Sequence, residues 1–246
     1  MPLVQIICLA CSRKSEEIAG KNIKGHCVAG IDIATGNWVR PVSDLPSGTL
    51  TTQMCGLLPN VAHSSDTLLP TLLDIVEIGL CKRKANAAQP ENWVIDNRKC
   101  RWVRTAGDVE LKMLGNKLSY DPELFRNYDK EVTMLEVKER PPSESLLLVQ
   151  PAQVNWLAEL DYHGKRRMLG IFSISGQRYC LPLTDPMYAE RLSELRLGKR
   201  VSAASIEGSS TEITLVLSLS DLFKLKGKHY KLIAGVLALP HSAISA

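Results

Sequence analysis

The chain has 246 residues, with 30 Lys and Arg against 26 Asp and Glu for a formal net charge of +4. Hydrophobic residues make up 45% and charged residues 23%, a globular mix that excludes disordered and low-complexity architectures and predicts one large domain or two small ones. No apolar run reaches the ~18 residues of a membrane span, and Met1-Pro2-Leu3-Val4-Gln5 has no basic n-region, so the expectation is a cytoplasmic protein with no membrane partner.

Val4-Gln5-Ile6-Ile7-Cys8-Leu9 is apolar and rich in β-branched residues, as a buried strand requires. Ser12-Arg13-Lys14-Ser15 then reads as an exposed polar loop. His26 to Ile33 and Trp38 to Val42 flank the Gly-containing turn Ala34-Thr35-Gly36-Asn37, which predicts a hairpin. Pro41 cannot donate to a ladder, so that strand is expected to reach an edge or end there. Residues 44 to 70 lack periodicity and form a long connection of the kind that covers a site. Leu72 to Leu80 is a further strand, and Pro90-Glu91-Asn92-Trp93-Val94-Ile95 a turn leading into a short one. Val109–Lys117 and Asp121–Tyr128 suit short helices capped by Asp108 and Asp121.

Two prolines in Glu139-Arg140-Pro141-Pro142-Ser143 mark a division into 1–142 and 143–246. Beyond it, Pro151 to Leu160 reads as a helix with proline in its first turn. Met168–Ile174 and Gln177–Leu183 flank Ser175-Gly176 as a second hairpin. Asp185 caps a helix that Pro186 opens and that runs to about Leu195. Ile213, Leu215, Leu217 and Leu219 define one strongly buried strand face, and Tyr230–Leu239 closes the chain with Gly235 placed for a bend or bulge. Hairpins with a helix late in each half predict a mainly β protein with short helices: two small barrels of the OB type, packed together, with a single mixed α+β domain as the alternative.

The seven cysteines are odd in number and irregular in spacing, which points to reduced thiols. Cys8 and Cys11 form a C-x-x-C with no second pair, so they read as packed thiols before a metal or redox site, and no metal or cofactor is expected. Charge is densest between Cys81 and Arg104, where Lys82, Arg83, Lys84, Arg98, Lys99, Arg101 and Arg104 face only Glu91 and Asp96. Trp93 and Trp102 are interleaved with these cations. Cations beside rings suit a single-stranded nucleic-acid groove, and equally a solvated strand edge whose indoles point inward. Phosphate-loop, G-x-S-x-G, H-E-x-x-H and G-x-G-x-x-G signatures are absent, so the chain is read as a non-enzymatic module.

Several segments together resemble one family. Ile7-Cys8-Leu9-Ala10-Cys11-Ser12-Arg13-Lys14, Cys27-Val28-Ala29-Gly30-Ile31-Asp32 and Gly36-Asn37-Trp38-Val39-Arg40-Pro41-Val42-Ser43 are similar to the opening of the bacterial dual-OB-containing domain family. Leu73-Asp74-Ile75-Val76-Glu77-Ile78, Pro90-Glu91-Asn92-Trp93, Leu183-Thr184-Asp185-Pro186, Leu217-Ser218-Leu219 and Tyr230-Lys231-Leu232-Ile233-Ala234 follow in the family's order. The resemblance implies two OB-type barrels, a nucleic-acid or nucleotide ligand and an association with bacterial defence systems; it supplies no catalytic residue.

The expected contacts are Ser12, Arg13 and Lys14 for a backbone phosphate. Trp38 and Arg40, two apart on a strand, are expected to stack a base and hold its phosphate from one face. Asn92 and Trp93 would read and stack a base, and Arg101 would add charge. The competing reading places Trp38 in the core and pairs Arg40 with a carboxylate. An enzyme acting on nucleic acid or nucleotides through Asp32, Glu91, Asp96 or His26, and an adaptor for an acidic protein, are the alternatives.

Overall fold

A computed structural model describes residues 3–18, 21–58, 69–96, 98, 100–241 and 243–244. Part of the long connection, 59–68, and Lys99 lie outside the described residues. The chain divides into two compact units, 1–110 and 111–246.

In the first unit, β1 (Leu3–Ile18) and β2 (Lys21–Asp32) form a long antiparallel hairpin, and β3 (Trp38–Val42) continues it. A short helix α1 (Thr52–Cys55) and β4 (Leu57–Leu58) precede β5 (Asp74–Arg83), β6 (Asn92–Ile95) and β7 (Cys100–Thr105). The order β1-β2-β3-β6-β5 returns to β1 through Leu3↔Gly79 to Ile7↔Ile75, which closes a five-stranded barrel. The seam between β3 and β6 is parallel; every other pairing in the ring is antiparallel. β7 adds to β5 and β4 to β7 outside the ring. Ile6, Cys8, Val28, Val39, Leu50, Val76, Ile78 and Leu80 fill the interior, the alternate residues that a curled sheet turns inward.

Ser12, Arg13 and Lys14 are strand residues of β1, opposite Cys27, His26 and Gly25, and not a loop. The β1–β2 hairpin runs on past the buried barrel, where polar side chains fit a ladder as well as a turn. Leu72 and Leu73 lie in the turn before β5 rather than within it. β3 is no edge strand: it pairs with β2 through Trp38 and Val39 and with β6 through Arg40 to Val42, and it ends one residue after Pro41.

The division falls inside α2 (Asp108–Gly115), ahead of the expected 142/143, because β8 (Glu131–Thr133) pairs with the last strand, β15 (Lys228–Pro240). The predicted helix from Asp121 is only a 3-10 turn at Leu124–Arg126, where Phe125 and Arg126 have positive φ. A capping box between Thr133 and Glu136 starts α3 (Met134–Glu139).

Next come β9 (Leu146–Val149), β10 (Val154–Leu160), β11 (Arg166–Ile174) and β12 (Gln177–Pro182). The predicted helix over Pro151–Leu160 is therefore a strand. Val154, Trp156 and Ala158 turn inward, and the ladder to Met168–Phe172 outweighs local propensity. Helix α4 (Pro186–Arg191) starts as expected, with the Asp185 carboxylate accepting from the Met187 and Tyr188 N–H groups, and stops earlier than predicted. Burial holds the Asp185 carboxyl above its ordinary value despite those donors.

β13 (Arg200–Ser202), α5 (Ala204–Glu207), β14 (Thr211–Leu219) and β15 complete the unit. β14 is buried on both faces from Ile213 onward, not on one. The β14–β15 ladder shifts register opposite Ala234, beside Gly235. β9 pairs with β14 while β10 pairs with β11, so Leu146–Leu160 bends from one sheet into the other. A parallel bridge from Leu183 to Ile233, with the Thr184 N–H on the Ile233 carbonyl at 2.8 Å, joins the end of β12 to β15. The second unit thus repeats the first's strand order.

Candidate functional site

The β3–β6 seam brings three of the eight expected residues side by side: Arg40 lies opposite Asn92 and Pro41 opposite Trp93. Arg40 Nε is 3.3 Å from Glu91 Oε1, with both side chains 4% exposed. Asn92 Nδ2 donates to Gln89 Oε1 at 3.1 Å, and all these polar groups are buried. This is a structural polar seam: desolvated charges are tolerated where they are paired. Trp38 is in the core, so the stacking role expected of it is corrected, and Arg40 faces a carboxylate rather than solvent. Trp93 is half-buried against the barrel interior.

The other expected residues lie apart from the seam. Lys14 Nζ donates to the Ser47 carbonyl at 2.6 Å, and Lys84 Nζ to the carbonyls of Ser43 and Leu45 at 3.0 and 2.6 Å. Two ammonium groups therefore fasten the loop after β3. Arg13 is exposed opposite His26, whose pKa is lowered by partial burial and by the Arg13 charge; Ser12 is half-buried. Arg101 donates through Nε and Nη2 to Glu77 Oε1 at 3.1 and 3.0 Å, on the outside of the β5–β7 ladder.

The basic segment around them is largely matched by acceptors. Lys82 pairs with Asp44, Arg83 with the Pro90 carbonyl, Arg98 with Asp96 and Arg104 with Glu110. The hydrogen bond from Arg98 holds the Asp96 carboxyl below its usual range, and those from Arg104 and the Gly107 N–H bring Glu110 down to about 2. Trp102 Nε1 donates to Asp74 Oδ1 at 2.9 Å.

The groups considered for chemistry also have structural partners. Asp32 accepts from the Ala34 N–H and the Thr35 hydroxyl, and Glu91 faces Arg40. His26 Nε2 lies 3.3 Å from Thr52 Oγ1. Cys8, Cys55 and Cys100 are buried, and burial pushes the Cys55 thiol up to about 12 and the Cys100 thiol to about 11. Among the described residues no group of three or more His, Cys, Asp or Glu has the geometry of a metal site.

An open basic surface lies in the second unit, where sequence reasoning placed none. In the first unit β3 is buried on every side chain; its counterpart β12 alternates, with Arg178 and Cys180 exposed. Register carries this outer face across four strands: Cys180 lies opposite Ile171, Ile171 opposite Asn155, and Asn155 opposite Ser202. One step along, Leu157 lies opposite both Leu169 and Arg200.

Arg167, Arg178 and Arg200 bring three guanidinium groups to this face, against the single carboxylate of Glu159. Arg167 is bound to Glu159 at 2.8 and 2.5 Å, whereas neither Arg178 nor Arg200 forms an ion pair among the described residues. The Cys180 thiol at its centre is held above its ordinary value by desolvation and Glu159, opposed by Arg178, Arg167 and Arg200. At the β10–β11 turn, Tyr162 is exposed with its ring 3.8 Å from that of His163. The signal available in sequence was the alternation Arg178-Tyr179-Cys180-Leu181 with Arg167 and Arg200 nearby; without the register, nothing joins those three arginines.

A closed five-stranded barrel with a parallel third-to-fifth seam in the first unit, and two four-stranded sheets joined by a parallel bridge from Leu183 to Ile233 in the same order in the second, define a protein of paired OB-type barrels. A family model described as Dual OB-containing domain matches residues 4–236, and the chain belongs to that family. No curated protein matches it.

Proposed function

We propose that the chain is a binding module for single-stranded nucleic acid, and that the outer face of β10 to β13 carries the contact. The supporting observation is that the register puts Arg167, Arg178 and Arg200 on the same sheet face as Cys180, Leu157, Leu169 and Ile171, with all three charges acting on the Cys180 thiol. Guanidinium groups neutralise backbone phosphates and release their counterions. Asn155, Ser173 and Ser202 on the same face supply hydrogen-bonding groups, and the exposed Tyr162 ring offers a surface on which a base can stack. In the first unit Arg13 and Arg101 are the expected contacts whose side chains are exposed, Arg101 being held by Glu77. Nucleotides are the smaller version of the same ligand, and an accessory role in bacterial defence rests on the family resemblance.

The test is fluorescence anisotropy of labelled single-stranded DNA and RNA across a salt series. Binding is expected to weaken steeply with salt. Arg178→Ala/Arg200→Ala is expected to reduce the slope of log K against log salt by about 1.4, near 0.7 for each phosphate no longer neutralised. A double variant that binds like the wild type, or no binding of either polymer at low salt, overturns the proposal.

A further inference from the structure

The connection from β14 to β15 carries an apolar apex that none of the described residues covers. Leu225 is 92% exposed, between Lys224 and Lys226. The turn beneath it is tightly built. The Phe223 N–H donates to the Lys228 carbonyl at 2.8 Å, and the Lys226 and Gly227 N–H groups donate to the Phe223 carbonyl at 3.0 and 2.9 Å. Gly227 takes the positive φ that this closure needs. The Phe223 ring lies edge-on to Tyr230 at 6.2 Å and under the Lys226 ammonium at 5.8 Å, which stiffens the base. The first turn of α3 is fastened alongside, with the Met134 N–H on the Gly227 carbonyl at 2.9 Å, and it leaves Met134 and Leu135 exposed as well.

We propose that this apex is a peripheral membrane contact, in which Leu225 enters the acyl boundary of an anionic bilayer while Lys224 and Lys226 meet its phosphates. Large apolar side chains held out in water by a rigid turn indicate a partner surface, and pre-organisation removes the ordering cost of engaging it. The chemistry selects the partner. The tip of the apex is aliphatic; Phe223, 42% exposed at its base, has Tyr230 against its edge and the Lys226 ammonium 5.8 Å from its centre, so the protruding tip itself offers no ring for a nucleobase. A second copy would bring the same ammonium groups against these. A planar surface that is negative outside and apolar beneath matches both the lysines and the leucine. No helix among the described residues is long and apolar enough to cross a membrane, and the proposed contact needs none.

The inference is independent of the nucleic-acid reading, and the two separate in one experiment. The full chain is sedimented with phosphatidylcholine vesicles that contain or lack phosphatidylglycerol. Binding is expected to the anionic vesicles, to fall about tenfold in Leu225→Ser, and to fall by a similar factor in Lys224→Ser/Lys226→Ser. Arg178→Ala/Arg200→Ala is expected to retain vesicle binding while binding oligonucleotides more weakly and with the reduced salt slope. Three results overturn the proposal: no sedimentation with anionic vesicles at low salt, Leu225→Ser binding them like the wild type, or a Leu225-dependent dimer in solution without vesicles.

Discussion

Lys231, on β15, is buried to 0% exposure inside the second barrel, and its substitution by methionine tests most sharply how that barrel tolerates a charge. Its ammonium donates to Asn127 O and Oδ1 at 2.8 and 2.6 Å and lies 5.5 Å from the centre of the Tyr179 ring. No carboxylate is within ion-pairing distance among the described residues; Asp129, Glu136 and Glu123 act on it only from further away. Desolvation accordingly lowers its pKa from 10.5 to about 8. That fall corresponds to a cost of about 3 kcal/mol for keeping the buried group charged.

Above pH 8 the folded chain has released this proton, while the unfolded chain holds it to near 10.5. Unfolding then takes up a proton, so the contribution of Lys231 to stability rises with pH through that window and is flat below it. At pH 7, Lys231→Met removes the charging cost but also two hydrogen bonds from a charged donor, each worth about 1.5–3 kcal/mol, so its net effect there is small. The decisive quantity is the wild-type minus variant difference in urea unfolding free energy. It should grow by about 2–3 kcal/mol in favour of the wild type between pH 7 and pH 10. Parallel stability curves for the two proteins over that range would refute the desolvated-ammonium account.

The difference is needed because buried thiols titrate with the opposite sign. Cys55 and Cys100 lose their protons at lower pH in the unfolded chain than in the folded one, so their contributions decline as the pH climbs from about 9. Under native conditions at pH 8 a thiol reagent should label Cys81 and Cys180 first and reach Cys8, Cys55 and Cys100 only on unfolding; rapid labelling of Cys100 would contradict its burial. Arg40→Met should cost about 3–5 kcal/mol in denaturant melts, because it strands Glu91, and Arg40→Met/Glu91→Leu should recover most of that; equal losses in both would remove the pair from the account. Gly30→Ala drives a methyl into the Ile7 carbonyl oxygen across the β1–β2 ladder, so a loss of at least ~1–3 kcal/mol is expected in thermal melts, and an unchanged melting temperature would show that the strands can part.

Local chemistry was legible where local interactions decide structure. The Ala34–Asn37 turn, the Ser175-Gly176 turn and the Asp185 cap each depend on a few neighbouring residues, and each is found where the sequence places it. Val154-Asn155-Trp156-Leu157-Ala158 fits a helical stripe as well as an alternating strand, and only its partner strands choose between them. The same limit governs the site. Arg40 and Trp38 do not show in sequence that β3 is enclosed on both sides, and Arg167, Arg178 and Arg200 share a surface only through a register set by strands far apart in the chain.

The parallel seams also constrain how the molecule is made. Arg40 meets Asn92, and Leu183 meets Ile233, across about fifty residues of intervening chain, so neither ring can shut until its last strand has been synthesised. A nascent first half that ends before β6 leaves β3 and β5 each with an unsatisfied edge, open to pairing with any extended peptide nearby. The arrival of β6 thus gives β3 its second neighbour, and the arrival of β7 covers what is left of the β5 edge.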